Sequence, residues 1–360
     1  MIRTYPRPET PFTIDAIKAR YGLDTVYSLH QNETPLGPSP RVVEAVRQEA
    51  TQLGLYPPVG DETLRKALAN TWGRGLSPDH FFTACSGYET IELVARAYLQ
   101  SGDEVIITPP TFQIVYDKTI EVEGANIVQV PLQRPDFALD VDGILASVTD
   151  KTRLVIICNP NNPTGTIVTA SEMHHFMQAL PEHILVMADE VYLDFVQRPD
   201  FPDSVQYVLD DKNIVLIHTF SKAYGLPGLR LGYGIAKPDV AHYVAGLQRG
   251  YHQNRLALVA GMASLQDQDH KMKNVQAALD GKKWICDQLD QMGIFFWPSE
   301  TNFVLVQTPL LGRELAAQLL PYGVLVNPMQ GELDHCFRVS TGSPEGNQCF
   351  VAALRDVLAS

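Results

Sequence analysis

Short, largely apolar runs alternate with helical patterns through the first two thirds of the chain. The runs are Val105 to Ile107, Ile127 to Val130, Leu154 to Cys158, Ile184 to Met187 and Ile214 to Ile217. Such unbroken apolar segments predict strands buried on both faces, as in a parallel sheet covered by helices. Ser39 and Pro40 open RVVEAVRQEATQLG, which predicts a helix with a serine N-cap, a proline in its first turn and Gly54 at its close. Asp61 opens a second helix, ETLRKALANTW. Several runs end in Pro, Asn or Gly clusters, which predict loops at strand ends, where the functional residues of open α/β sheets gather. This alternation predicts an α/β fold with a large αβα domain around a mostly parallel sheet.

Beyond Arg249 the texture changes. A long helical pattern from Leu256 to Met292 precedes two strand-like pieces, NFVLVQ and GVLVNP, and a final helix near Asn347 to Leu358. A smaller α+β domain is expected there. The expected division is an N-terminal arm over 1–40 that joins the small domain, a large domain over 41–250 and a small domain over 251–360. A length of 360 residues suits about two domains.

Composition narrows the function classes. With 45% apolar and 19% charged residues the chain is of ordinary globular type. Asp and Glu outnumber Lys and Arg by 41 to 28, for a net charge of -13. That balance speaks against nucleic acid or an anionic membrane as partner, while leaving room for a local cationic pocket. The N-terminus lacks the apolar core of a signal peptide, and no stretch reaches the roughly 18 apolar residues of a spanning helix. The five cysteines are scattered and form no C-x-x-C pair. Neither a disulfide framework nor a bound metal is expected, and a reducing cytoplasm fits.

Four segments carry the candidate chemistry: SGYETIEL at 86–93, NPNNPTG at 159–165, ADEVY at 188–192 and SKAYGLPGLRLGY at 221–233. In this order, with LHQNETPLGPSP before them and SETNFVLV after, the chain resembles the fold-type-I pyridoxal-phosphate (PLP) enzymes of the class I/II aminotransferase family. The histidinol-phosphate aminotransferase branch is closest in layout, and the resemblance runs from about Leu29 to Gly342.

The resemblance implies PLP as cofactor and assigns roles by position. Lys222 stands where the family's Schiff-base lysine stands; a desolvated lysine can act as nucleophile and then as acid/base. Asp189 stands opposite the ring nitrogen, and Asn162 and Tyr192 beside the phenolic oxygen, with Asn162 also on the substrate side. Phe112 takes the place of the stacking ring, where relatives often have Tyr. Gly87 and Tyr88 open the helix whose N-terminus would hold the phosphate. Relatives often have Asp, Ser or Thr where Tyr88 stands. Ser221 and Arg230 match the remaining phosphate ligands. Tyr56 matches a tyrosine that reaches the neighbouring subunit's phosphate, which implies a homodimer with a shared active site. Arg338 matches the arginine that holds the substrate carboxylate.

Some positions depart from the branch. Asn327 stands where a second, phosphate-reading arginine is usual, and a neutral amide does not balance a dianion. His30 and Gln31 replace an Asn and a small residue on the substrate side, making His30 a candidate second acid/base. Glu9 and Thr10 could fold over the pocket to meet a cationic side chain. SKAYGLPGLRLGY and GVLVNP are also similar to segments of capreomycidine synthase. On these features the preferred expectation is a PLP-dependent cyclase or dehydratase that turns a free, non-phosphorylated hydroxyarginine-type amino acid into a cyclic guanidino amino acid. The alternatives are an aminotransferase of a polar amino acid and an oxygen-dependent arginine oxidase. A ligand-sensing regulator is disfavoured, because only about 28 residues precede the match.

Overall fold

The computed structural model describes residues 13–359. Among the described residues twelve strands follow one another: β1 (Tyr27–Ser28), β2 (Phe81–Ala84), β3 (Glu104–Ile107), β4 (Asn126–Gln129), β5 (Thr152–Cys158), β6 (Leu185–Asp189), β7 (Ile214–Thr219), β8 (Gly232–Ala236), β9 (Phe303–Gln307), β10 (Val324–Leu325), β11 (Asn327–Pro328) and β12 (Cys336–Ser340). Seven form the main sheet in the order β2-β8-β7-β6-β5-β3-β4. Within it β8 alone runs antiparallel to its neighbours, and the other pairings are parallel.

Alternate residues of these strands feed two apolar layers. Val155, Ile157, Val186, Ala188 and Leu216 pack on one face; Leu154, Ile156, Leu185, Met187 and Val215 pack on the other. Both faces are buried, which is why the strands read as continuous apolar runs. The five expected strands are all present. β2 and β8 were not foreseen, and β8 explains its own silence. It is the glycine-rich stretch GYGIA, and glycine is depleted in strands. Gly234 pairs with Phe82 across the sheet, and a Cβ there would run into the Phe82 ring.

The helix expected after Ser39 spans Pro40–Glu49, with the Ser39 side chain accepting from Val42 N–H. The long pattern from Leu256 to Met292 forms two helices, Arg255–Leu265 and Gln268–Gln291. Asp267 divides them, its carboxylate accepting from His270 N–H and so starting a new helix. Ala257, Ala260 and Ala263 of the first helix join the large core. GVLVNP likewise splits. β10 pairs in parallel with β1 of the arm, while β11 pairs with β12, which pairs with β9. A separate apolar core lies beneath this small sheet, built from Leu29, Ile285, Val304, Phe337 and Phe350 among others.

Candidate active site

The C-terminal ends of the parallel strands, the arm and β12 together enclose a cavity of about 350 Å³. Asp189 is the last residue of β6 and is buried. The Tyr116 hydroxyl donates to its Oδ2 at 2.6 Å, and burial pushes its pKa up to about 6 even so.

Lys222 follows β7 in a loop. Its Nζ donates to the backbone carbonyls of Gln31 and Asn32, each at 3.1 Å. The arm and this loop meet through two glycines: Gly225 has a φ of 68°, and a Cβ there would lie 2.5 Å from the Gly37 backbone. Burial, reinforced by Arg338, brings the Lys222 pKa down to about 7. Only a neutral amine attacks a carbonyl carbon. Coupling of the cofactor aldehyde to cofactor-free protein should therefore slow about tenfold per unit below pH 7 and level off above it. Stopped-flow absorbance reads this rate, and a pH-independent rate between pH 5 and 9 would contradict it.

Tyr192 and Asn162 flank the same space. Asn32 Nδ2 donates to the Tyr192 hydroxyl at 2.7 Å, and Ser340 Oγ donates to Asn32 Oδ1 at 2.8 Å, which fixes the amide's orientation. The Tyr192 oxygen is thus an acceptor on its arm side, and its own proton is free to point into the cavity. Phe112 is half-buried, edge-on to Tyr88 at 5.4 Å and to Tyr116 at 6.0 Å.

The anion end is built from the first turn of the helix Ser86–Tyr98, where Gly87 and Tyr88 line the cavity. Ser221 is buried beside it, its Oγ accepting from Thr219 Oγ1 at 3.0 Å. Arg230 also lines the cavity, held by donation from Nη1 to the Pro227 carbonyl at 2.7 Å.

At the opposite end Arg338 stands in mid-β12, buried. Its Nη1 donates to Asn162 Oδ1 and its Nη2 to the His30 carbonyl. Its Nε has no partner, and its guanidinium carbon lies 5.1 Å from the centre of the Phe303 ring. His30 lines the cavity with Gln31. Its ring contacts Ser28 Oγ at 3.2 Å and Gln31 Nε2 at 3.1 Å.

Two positions fall elsewhere. Asn327 is in register with Arg338 on the neighbouring strand but is not among the residues lining the cavity. Tyr56 is 81% exposed and packs on Tyr251, away from its own chain's cavity. Glu9 and Thr10 lie outside the described residues. Asn32 and Tyr116 were missed. Asn32 lies inside the quoted LHQNETPLGPSP, whereas nothing local marks Tyr116; only its place in the helix Gln113–Glu123 carries it over Asp189.

A desolvated amine, a buried carboxylate, a phenol, an amide, an aromatic ring and a helix N-terminus backed by arginine surround one cavity. That donor set fits a phosphorylated pyridine aldehyde. Among the described residues no His, Cys, Asp and Glu are grouped to hold a metal, and no helix is long and apolar enough to cross a membrane.

Comparison with known proteins agrees. The family described as Aminotransferase class I and II matches residues 24–354. A histidinol-phosphate aminotransferase of Moorella thermoacetica is 35% identical over 96% of this chain and 89% of its own. One from Symbiobacterium thermophilum is 35% identical over 99% and 98%. The crystal structure of histidinol-phosphate aminotransferase from Sinorhizobium meliloti in complex with pyridoxal-5'-phosphate superposes with a TM-score of 0.88, at 27% identity over 99% of this chain and 98% of that one.

These findings correct the expected function. The cyclase or dehydratase reading rested on two short segments and on Asn327 and His30. It is overturned by relatives that match nearly the whole chain and are named aminotransferases. Asn327 also proves a weak argument for it, because its side chain does not line the cavity. The chain is an enzyme of fold type I with pyridoxal 5'-phosphate as its cofactor, and it belongs to the class I and II aminotransferase family.

Proposed function

We propose that this protein is an aminotransferase of a polar amino compound, of the histidinol-phosphate aminotransferase type, acting in amino-acid metabolism in the cytoplasm. The observation that carries this reading is Arg338. A buried guanidinium with its Nε unpartnered lines the same cavity as Lys222, as a receptor for an anionic substrate group needs. The names of the full-length relatives support the same reading.

The bound cofactor supplies an aldehyde that takes up the amino group and a ring that accepts electrons. The chain does the rest. Arg338 anchors the substrate's anionic group and, through its bond to Asn162, keeps that amide aimed at the cavity. Lys222, whose lowered pKa leaves a usable neutral fraction at pH 7, removes and returns the proton at the substrate carbon. Asp189, its carboxylate oriented by Tyr116, would pair with a protonated ring nitrogen. Tyr192, with its proton free, would donate toward the ring's phenolic oxygen. Gly87, Tyr88, Ser221 and Arg230 would hold the phosphate. His30, whose pKa is lowered chiefly by burial, is neutral at pH 7 and lines the substrate side as a second acid/base.

The same proposal includes a homodimer in which the exposed Tyr56 of one subunit reaches the other's phosphate. It also includes the division into arm, large domain and small domain, which the separate core beneath the small sheet supports, although the helix Arg255–Leu265 packs into the large core.

The test is an amino-transfer assay on holoenzyme offered histidinol phosphate and other polar amino compounds, with and without a 2-oxo acid. Multiple turnovers should require the oxo acid. Arg338→Ala should lower kcat/KM about 100- to 1000-fold with the cofactor spectrum unchanged, since a charge-assisted bidentate contact is lost. Sustained turnover without any oxo acid would overturn the proposal.

A further inference from the structure

Behind the cofactor cavity lies a second one, of about 250 Å³. Val191 and Thr219 line both, so the two are separated by a single layer of side chains. The floor of the second cavity is Glu190 and His218, 2% and 5% exposed. Glu190 Oε1 and His218 Nε2 have no hydrogen-bond partner, and the two side chains stand 3.7 Å apart, too far to satisfy one another. Trp72 and Tyr233 contribute aromatic walls, and Tyr224 carries Lys271 Nζ over its ring, 4.9 Å from the centre. Tyr233 is stacked on the His218 ring at 5.3 Å and is held by donation from Trp72 Nε1 to its hydroxyl at 3.2 Å. Nearer the surface, Lys271 and Asp194 neutralise each other in an ion pair.

Glu190 is therefore a buried acid with no cation beside it to pair with once it ionises. His218 does not supply one, because burial lowers its pKa to about 3. Lys271 is engaged by Asp194, and the remaining charged neighbours of Glu190, Asp189 and Asp203, are acids. Buried carboxylates persist when something pairs them, and aromatic faces around an acid favour a cation with apolar surface over a hydrated metal ion.

We propose that this cavity is a second binding site for a small organic cation bearing a guanidinium or alkylammonium group, which pairs with Glu190 beside the rings of Trp72 and Tyr233. The site is distinct from the substrate pocket, with which it shares Val191 and Thr219. Burial holds the Glu190 pKa up to about 8, so binding below that pH displaces a proton from Glu190. Affinity then rises with pH, about tenfold between pH 6.5 and 7.5.

The test is calorimetric titration of the holoenzyme with methylguanidinium chloride and with methylammonium chloride at fixed ionic strength. Urea serves as the neutral counterpart of the guanidinium. Saturable uptake of one cation per chain is expected for at least one of the two, with proton release and the stated pH dependence, and none for urea. Glu190→Gln should abolish uptake and proton release while leaving the cofactor's absorbance intact. Trp72→Leu should weaken binding about tenfold, and it decides the matter if Glu190→Gln does not fold. No saturable uptake of either cation, uptake unchanged in both variants, or equal binding of urea would each overturn the proposal. In the first case the cavity holds water only.

Discussion

Lys222→Ala should lower turnover by about 10⁴-fold or more, the largest effect of any single substitution in this protein. The side chain is asked to do two things at once. In the proposed reaction it would attach to the cofactor aldehyde as a nucleophile and move a proton at the substrate carbon, the latter a task worth about 10²- to 10⁴-fold by itself. Among the described residues no other primary amine lines the cavity to take over the attachment. The groups that its Nζ hydrogen-bonds, the Gln31 and Asn32 carbonyls, carry no proton to move. Cofactor should still bind through the phosphate end, because Gly87, Ser221 and Arg230 are untouched. Two readings check this: the absorbance band of lysine-linked cofactor disappears, while equilibrium dialysis still finds one cofactor per chain. Turnover within about tenfold of the parent enzyme would refute the assignment of Lys222. Added methylamine should restore part of the rate, since the missing group is a free base.

Asp189→Asn should lower turnover about 10³-fold with cofactor retained, comparable to removing one preorganised charge from an active site. Burial holds the cofactor-free carboxylate's pKa up to about 6. A protonated ring nitrogen opposite it favours the charged form and pulls that value down again, so the pair forms at neutral pH. Asparagine is isosteric but neutral and leaves the ring nitrogen without its counter-charge.

The same burial gives an opposite effect on stability. A carboxyl whose folded pKa is raised destabilises the folded state above that pKa, and the penalty vanishes as pH falls through it toward the unfolded value. From 3.8 to about 6 is roughly 2 units, or up to about 3 kcal/mol. Cofactor-free Asp189→Asn should therefore melt higher than cofactor-free parent at pH 8, and the gap should close below pH 4. Unimpaired turnover by the variant, or a lower melting point at pH 8, would contradict this account. Calorimetry of the two cofactor-free proteins across that pH range makes the measurement.

The four segments around Ser86, Asn162, Asp189 and Ser221 were legible because each sits at the end of a buried strand or the start of a helix, where local chemistry is dictated by the fold. Composition and periodicity likewise determined the parallel sheet, since strands buried on both faces must be continuously apolar. What failed was of two kinds. β8 was invisible because Gly234 is chosen to make room for Phe82, a partner more than a hundred residues away in the chain. The preferred reaction failed because short segments and single positions, Asn327 above all, were weighed without knowing which of them face the cavity.

By itself, then, the sequence determined the cofactor, the fold class and most of the side chains that line the cavity. Those depend on local elements and on side chains whose chemistry has few substitutes. Only the tertiary structure decided which distant residues complete them. Asn32 of the arm reaches Tyr192, Tyr116 reaches Asp189, and Arg338 of the small sheet reaches Asn162. It alone also places Glu190 and His218 at the floor of a second cavity. Contacts between residues far apart in the chain arise from how helices and sheets pack, and periodicity along the chain carries no record of which faces come to oppose one another.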